Sequence, residues 1–466
     1  MKHVAIIGGG IAGLSAAYYL ERARKNGAGI EWMLFEKSNR FGGVIQTEHR
    51  DGYVLEAGPD SFLTAKPEAA LLSSELGIGD QLIGSNDAQR KTYILVKGHL
   101  VAIPEGLEFM VPTRIWPMVR TSLFSLSTKV RMLRERGIQS RSQQDDESVA
   151  SFVQRHFGQE MVDRVAEPLL AGVYGGEAEQ LSVNAVLPRF VEMEREHGSL
   201  VRASLAARKQ RTRGGVSPQP LFTSLRKGMQ QLVDALLSFL PPNSLHAGQD
   251  DVSFERRGNA WQVGSRQGSQ EFDEIILAIP APAAAALLQP LRAELAGMLG
   301  GIQYTSSAAV LIAFDRADLP PGFGFLVPRS EGRKMLACTF VHKKFPHRAP
   351  EGSALLRCFF SSSRVRKMSG YSDAALLDLA QRELQEIMDF TATPRFARVF
   401  RWECALPQYA VGHPQRVAQM EKHLAELPGV RLIGNSLYGV GISDCIKSAQ
   451  QAVGAITSAA LQPASV

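Results

Sequence analysis

Cysteine is scarce. Cys338, Cys358, Cys404 and Cys445 are scattered with no C-x-x-C pair. Neither a metal site nor a disulfide framework is indicated, and a reduced, cytoplasmic setting fits best. No apolar run reaches the roughly 18–20 residues that a bilayer span needs. The longest candidate, residues 278–288, is interrupted by proline. Lys2-His3 leads into a strand pattern rather than the apolar core of a signal peptide. The expectation is a protein that is soluble or lies on a membrane surface. Aromatic-basic RNA motifs and zinc-finger spacings are absent, which argues against nucleic acid as a partner. The net charge of +6 is mild and suits an anionic small molecule or an anionic membrane. The ten histidines fall outside ligand or triad spacings. Each, His413 included, reads as structural, surface or loop, and no catalytic acid or base is assigned. A chain of 466 residues is expected to form two or more domains.

What is present is concentrated first at the N-terminus. Val4-Ala5-Ile6-Ile7 has the length of a buried strand. It runs into Gly8-Gly9-Gly10-Ile11-Ala12-Gly13, a strict G-x-G-x-x-G, and then into the helical stretch Leu14 to Leu20. Gly8 permits a tight turn, Gly10 lets backbone approach a pyrophosphate, and Gly13 lets the helix lie close on the strand. The helix start offers free N–H groups and a positive dipole end to that pyrophosphate. A second apolar run, Ile30 to Phe35, ends on Glu36, about 20 residues past the glycines, where an acid binds a ribose hydroxyl. Together these features indicate a bound dinucleotide. Gly42-Gly43 follows closely, where NAD requires no glycine; a longer cofactor lying against the backbone explains the pair.

Further along, residues 47–55 alternate as a hairpin around Asp51-Gly52 and deliver Gly58-Pro59, which is either an ordinary turn or a cofactor contact. Residues 67–80 read as a helix ending at Gly77, and residues 92–103 as a hairpin turning at Lys97-Gly98. From Trp116 to Arg134 the pattern is a basic amphipathic helix, which fits a membrane surface or a solvated face over a core. Asp145-Asp146-Glu147 is expected to cap a helix that stops at Gly158. Residues 159–173 read as a helix bent at Pro168, and residues 191–209 as one polar helix closing in a basic run. Residues 214–220 read as a loop or boundary. An apolar helix face spans Met229 to Leu240, and a buried strand is expected near residues 272–280. Between Tyr304 and Arg401, β-rich runs surround one helix, residues 372–390, so a mixed sheet should lie beside the dinucleotide fold. Near the C-terminus a short strand, Val430 to Ile433, opens a loop holding Gly439-Val440-Gly441, with Ser443 as the expected N-cap of a final helix. That loop is a second site for negative charge. Two such loops at opposite ends of the chain point to one long cofactor bridged between them, and disfavour an NAD-only dehydrogenase.

The sequence resembles the FAD-dependent protoporphyrinogen/coproporphyrinogen oxidases of haem biosynthesis, within the amine-oxidase-like flavoproteins. The N-terminal glycine motif and Glu36…Arg40-Phe41-Gly42-Gly43 specify only FAD. More specific are residues 56–62 (EAGPDSF), 166–183 (AEPLLAGVYGGEAEQLSV) and 322–328 (GFGFLVP), with Trp402…Gly412-His413 and Gly434…Ile446. The implied fold is α/β. A discontinuous Rossmann-like FAD domain covers residues 1–85, 221–290 and 398–466. A mixed-sheet substrate domain covers 86–108 and 291–397, and a helical insertion, 109–205, forms a cavity wall that can face a membrane.

The FAD site implied by this resemblance takes Gly8, Gly9, Gly10, Ile11, Ala12, Gly13, Glu36, Lys37, Gly42, Gly43, Val44, Gly58, Pro59, Asp60 and Ser61. It is completed by Val252, Trp402, Val440, Gly441 and Ile442. Leu326 and Phe359 are the implied substrate-packing residues, and Arg114 is a candidate for a propionate. The implied reaction converts a porphyrinogen to a porphyrin in three two-electron rounds. Hydride passes from a meso carbon to flavin N5, and dioxygen reoxidises the flavin to give hydrogen peroxide. The cofactor carries the redox chemistry. Another amine-oxidase-like oxidase or desaturase, and a non-catalytic FAD or porphyrin carrier, remain alternatives. The choice between protoporphyrinogen and coproporphyrinogen is open, as are peripheral contact with the inner face of the membrane, a homodimer and hand-over to a ferrochelatase.

Overall fold

The computed structural model describes residues 1–137, 145–213, 219–266, 268–365 and 368–460. Residues 214–218 of the expected loop at 214–220 lie outside them.

Two sheets organise the chain. The first has five strands in the order Leu245–His246, Ile30–Phe35, Lys2–Ile7, Glu274–Leu277, Val430–Leu432, all parallel. The chain builds outward from Lys2–Ile7 in one direction and then resumes on its other side at Glu274–Leu277. A crevice opens at such a reversal, beyond the carboxyl ends of the strands. Buried parallel strands are apolar on both faces, and successive side chains alternate. Val4 and Ile6 pack with Leu14, Ala17 and Leu20 of the Ile11–Lys25 helix and with Ile446, Ala449 and Val453 of the Ile442–Ala460 helix. Ala5 and Ile7 turn the other way, onto Phe254, Trp261 and Val263 of an antiparallel ribbon.

The second sheet has seven strands: Phe396–Pro407, Tyr304–Phe314, Ala354–Ser361, Met335–Phe340, Gly324–Leu326, Thr92–Val96 and His99–Ala102. Only the Gly324–Leu326 and Thr92–Val96 pair runs parallel. One face, with Val310, Ile312, Leu356 and Cys358, buries Leu376, Ala380 and Leu384 of the Asp373–Met388 helix. Ser372 caps that helix by accepting from Ala375 N–H at 3.2 Å. The sheet's opposite face, with Ala309, Leu311 and Leu355, packs on Tyr53 and Leu55. Tyr53, in the hairpin after Gly43, donates to Phe314 O at 2.9 Å and ties the two halves together.

The helical segment that follows residue 114 has its own core of Phe152, Val153, Phe157, Val162, Val165 and Leu181. Here several expectations need correction. Ser148, not the acidic trio, caps the Val149–Phe157 helix. Asp146 instead accepts from Ser182 Oγ and Gly412 N–H, and Glu147 pairs with Arg155. Between Gln159 and Tyr174 a π-helical stretch, Val162–Ala166, ends two residues before Pro168. The wider turn accommodates the missing donor, as irregular helical turns commonly do. Residues 191–209 are not one helix: Pro188–His197 ends at Gly198 in the left-handed conformation (φ 70°) and Leu200–Arg213 restarts. The helix begun at Ile115 also breaks, at Thr121, before Leu126–Arg134. No helix among the described residues is long and apolar enough to cross a membrane.

Candidate cofactor and substrate site

The first glycine loop leaves the Lys2–Ile7 strand and enters the Ile11–Lys25 helix. Gly8 has φ 108°, and a Cβ there would sit 2.4 Å from Ala278 O. A Cβ on Gly13 would lie 1.9 Å from Gly8 O, so helix and strand approach only through glycine. By contrast, a Cβ on Gly10 would meet nothing within 4 Å. The helix beginning there has no side-chain cap and no acidic residue in its first turn. The helix's own side chains therefore leave its leading N–H groups and dipole end uncapped.

Glu36 caps the end of the Ile30–Phe35 strand against this loop. One carboxylate oxygen accepts from Gly9 N–H at 2.6 Å, the other from Ser38 N–H at 2.8 Å and Ser38 Oγ at 2.7 Å. Carboxylate oxygens retain further lone pairs for a ligand hydroxyl. Lys37 is exposed just beyond. Gly42 donates to Gly9 O at 2.8 Å, and Gly42 and Gly43 have φ of 106° and 58°. A Cβ on Gly43 would stand 3.2 Å from Gly10 Cα. Beside Glu36, His246 stacks on Phe35, and Gln249 N–H donates to Glu36 O at 2.8 Å. The buried His246 Nε2 and Gln249 Oε1 have no hydrogen-bond partner among the described residues. Val252 packs farther along the same edge, in the cluster containing Phe35.

Val44 leads toward the Gly58 loop: a Cβ on Gly58 would lie 1.9 Å from Val44 O. The second sheet grips this loop from behind. Trp402 Nε1–H donates to Ala57 O at 2.8 Å, and the Arg357 guanidinium donates to Gly58 O. Lys344 pairs with the Asp60 carboxylate at 3.0 Å and donates to Ser61 Oγ at 3.1 Å. Glu56, at the loop's start, pairs with buried Arg348 at 3.1 Å and accepts from Met229 N–H and Thr47 Oγ1. Burial pushes the Glu56 carboxyl up, with Arg348 opposing. Burial also acts to raise Asp60, but the Lys344 ammonium and Arg357 guanidinium override it and hold that carboxyl well below its usual range.

The C-terminal glycine loop lies against the first one: a Cβ on Gly434 would be 3.7 Å from the Ala12 Cβ. Its helix does not start on Ser443. Cys445 N–H donates to Gly441 O, which makes Gly441 the cap, with Ile442 as the first helical residue. Ser443 Oγ instead donates to Lys66 O at 2.9 Å and accepts from Ala69 N–H. Asp444 reaches back to Gly441 N–H at 3.1 Å and pairs with Lys66 at 2.6 Å. This is one half of a capping box, since Gly441 has no side chain to accept in return. Val440 packs beside the core of the helical segment and Ile442 in the core of the first sheet. Tyr409 OH donates to Asn435 O at 2.6 Å within this loop.

Strand register places the candidate substrate residues. Leu326 pairs with Ala337, Ala337 with Phe359, and Phe359 with Ala309, so all four project from one face of the second sheet. Arg357 projects from the same face, two residues before Phe359 along the strand, and Trp402 stands in a neighbouring row. Ala171 of the helical segment closes over Leu326, Ala337 and Phe359. Arg114 is not brought to this cluster. Its side chain is half exposed and pairs with Glu105 at 3.4 Å.

A model of the flavin containing amine oxidoreductases matches residues 11–457. The chain belongs to that family. FAD is its cofactor. Within the family it stands with the protoporphyrinogen and coproporphyrinogen oxidases. It is 36% identical over 463 residues to the coproporphyrinogen III oxidase of Bacillus subtilis (strain 168), covering 97% of each chain. It is 31% identical over 478 residues to the protoporphyrinogen oxidase of Homo sapiens, again covering 97% of each. A solved structure of a proposed protoporphyrinogen oxidase from Exiguobacterium sp. 255-15 superposes with a TM-score of 0.87 at 29% identity, covering 98% of this chain and 99% of that one.

The residues present fit FAD. This flavoprotein offers an uncapped helix start beside open space at Gly10, a tethered acid at Glu36, and buried unpaired polar atoms at His246 and Gln249. The basic residues behind the Gly58 loop, Lys344, Arg348 and Arg357, were not found by sequence reasoning. They lie some three hundred residues from Glu56 and Asp60. The available signal was Arg357 itself, a single charge inside the apolar strand ALLRCFFS.

Proposed function

We propose that this flavoprotein oxidises a porphyrinogen, coproporphyrinogen III first among them, to the porphyrin in haem biosynthesis. The observation that carries the reading is the end-to-end likeness to the coproporphyrinogen III oxidase of Bacillus subtilis, 36% identical over 97% of both chains. The likeness to the Homo sapiens protoporphyrinogen oxidase supports protoporphyrinogen as the second candidate. Bound FAD supplies the two-electron acceptor. Dioxygen takes the electrons onward and leaves as hydrogen peroxide.

On this reading Gly8 to Gly13 hold the diphosphate, Glu36 takes the adenosine ribose, and Gln249 and His246 complete the adenosine end. Lys37 and Val252 border that end. Gly42, Gly43, Val44 and Gly58 to Ser61 line the flavin, with Trp402 behind them, and Val440, Gly441 and Ile442 lie at its ring. Leu326 and Phe359 give the macrocycle an apolar wall. Burial of such a wall both binds a flat macrocycle and excludes water from the reacting carbon. The FAD domain comprises residues 1–85, 221–290 and 398–466; the substrate domain comprises 86–108 and 291–397, with the helical insertion at 109–205. Peripheral attachment to an anionic membrane is part of the same reading. Trp116, Val119, Leu126, Val130 and Leu133 are exposed on the insertion and interleave with Arg120, Lys129, Arg131 and Arg134.

Side-by-side aerobic rates test the substrate. Porphyrin fluorescence should grow faster with coproporphyrinogen III than with protoporphyrinogen IX, with peroxide released in step. Rates no higher than the buffer background for both would sink the reading. Flotation with anionic liposomes, absent with neutral ones, checks the membrane component.

A further inference from the structure

Arg357 lies between the two halves of the site. It projects from the second sheet on the same face as Phe359 and Leu326 and is 6% exposed. One guanidinium nitrogen donates to Gly58 O. The guanidinium carbon stands 4.7 Å from the centre of the Phe359 ring, within cation–π range. Nε is buried and has no acceptor among the described residues. A buried guanidinium is costly unless charge is nearby. Asp60 and Glu56 provide it, and both belong to the segment that carries Gly58.

The surroundings show why the residue is not simply a counter-ion. Asp60 already has Lys344 at 3.0 Å, and Glu56 already has Arg348 at 3.1 Å. Neither carboxylate needs Arg357 as its direct partner. What Arg357 alone among these cations does is join a backbone carbonyl of the Gly58 loop to an aromatic ring on the apolar wall. Arginine suits this, because its planar fork donates in fixed directions while its face stacks on an aromatic ring.

We propose that Arg357 is a positioning residue that fixes the Gly58 loop and the Phe359 ring relative to each other, so that flavin and porphyrinogen are held in one register. The inference rests on the porphyrinogen reading for its substrate half. Its cofactor half stands on the Gly58 contact. Removing the guanidinium frees Gly58 O on one side and the Phe359 ring on the other, so both ligands loosen together. Truncating Phe359 disturbs the substrate side only.

The test measures two binding constants in Arg357→Met, Arg357→Lys, Phe359→Leu and the Arg357→Met/Phe359→Leu double variant. FAD is titrated into apoprotein and followed by flavin fluorescence. Coproporphyrin III, which the protein cannot oxidise further, is titrated into FAD-saturated protein and followed by the flavin visible spectrum. In Arg357→Met both dissociation constants are expected to rise about tenfold, the scale of losing a hydrogen bond to a charged group. In Phe359→Leu the porphyrin constant rises and the FAD constant stays within about twofold. In the double variant the porphyrin loss is smaller than the product of the single losses, as for two groups acting through one contact. Arg357→Lys keeps charge and stem, so it provides the test if the methionine variant does not fold; a several-fold rise in both constants is expected from it too. The proposal is overturned if Arg357→Met or Arg357→Lys folds and leaves either constant at the wild-type value, or if the porphyrin losses of Arg357→Met and Phe359→Leu multiply independently in the double variant. Wild-type protein that oxidises no porphyrinogen overturns the reading beneath it instead, while the FAD titration still reports on the Gly58 contact.

Discussion

Two glycine loops each feed a helix N-terminus, and they finish differently. The third residue of the Ile11–Lys25 helix is Gly13; the third residue of the Ile442–Ala460 helix is Asp444. In the first, no side chain caps the helix and no acid occupies its opening turn. In the second, Asp444 satisfies Gly441 N–H and is itself neutralised by Lys66. The same pattern of strand, glycines and helix therefore yields one open anion cradle and one closed one. A helix start carries about half a positive charge only while nothing compensates it. The contrast suits the N-terminal loop to a diphosphate and the C-terminal loop to an uncharged group. It also revises the expectation that both loops offer a place for ligand negative charge: at the second, the charge is the chain's own.

The largest expected effect strikes the open loop. Gly13→Val places a Cβ where Gly8 O stands 1.9 Å away, and overpacking of this kind costs about 1–3 kcal/mol or more. Purified protein should carry almost no flavin by its absorbance relative to protein. Full flavin content would contradict the assignment of that turn. Glu36→Ala comes next: loss of a charged hydrogen bond to the ribose is expected to weaken FAD binding by about 1–3 kcal/mol, read by titrating apoprotein. Unchanged affinity would remove Glu36 from the site.

Asp444→Ala probes the closed loop. Losing the cap should cost about 1 kcal/mol of stability, seen as a fall in Tm, while flavin content stays near wild type. If Asp444→Ala sheds flavin as completely as Gly13→Val, the difference between the loops disappears. The smallest effect is expected outside both, at His156. This buried imidazole sits 3.0 Å from Glu135 and 3.4 Å from Glu194. Burial acts to lower its pKa, but the two carboxylates prevail and raise it. A raised folded-state pKa means its stabilisation is complete below the ordinary imidazole value of about 6.5 and fades as pH climbs through the folded value. The stability lost in His156→Gln should be larger at pH 6 than at pH 9, with flavin content unaffected. A loss independent of pH would mean that the imidazolium is not what stabilises the helical segment.

The open loop was legible because each of its requirements is local. Turn, close approach and helix packing fall on Gly8, Gly10 and Gly13 within six consecutive residues, and the strand and helix flanking them have plain apolar patterns. The closed loop was half legible. Its glycines were visible, but Ser443 looked like a cap, and only the fold shows its hydroxyl drawn to Lys66 O across nearly the whole chain. The break at Gly198 was missed because the polar stretch on either side keeps helical composition, and the left-handed residue between them costs glycine nothing. Least legible was the support behind the Gly58 loop. Lys344 and Arg348 end two short helical turns, Val341–Lys344 and Pro346–Arg348, and Arg357 lies inside a strand; their partners are Glu56, at the end of a distant hairpin strand, and Asp60, in the loop after it. Pairing across about three hundred residues leaves no local pattern. A lone arginine in an apolar strand signals that a partner exists without indicating which.

As a porphyrinogen oxidase, this chain must bring its substrate to the flavin and move electrons between them. Anaerobic mixing of the FAD-loaded protein with coproporphyrinogen III tests it most directly. Bleaching of the oxidised-flavin absorbance is expected, with porphyrin fluorescence appearing at the same rate. Flavin that remains oxidised in the presence of excess coproporphyrinogen III and protoporphyrinogen IX would contradict it.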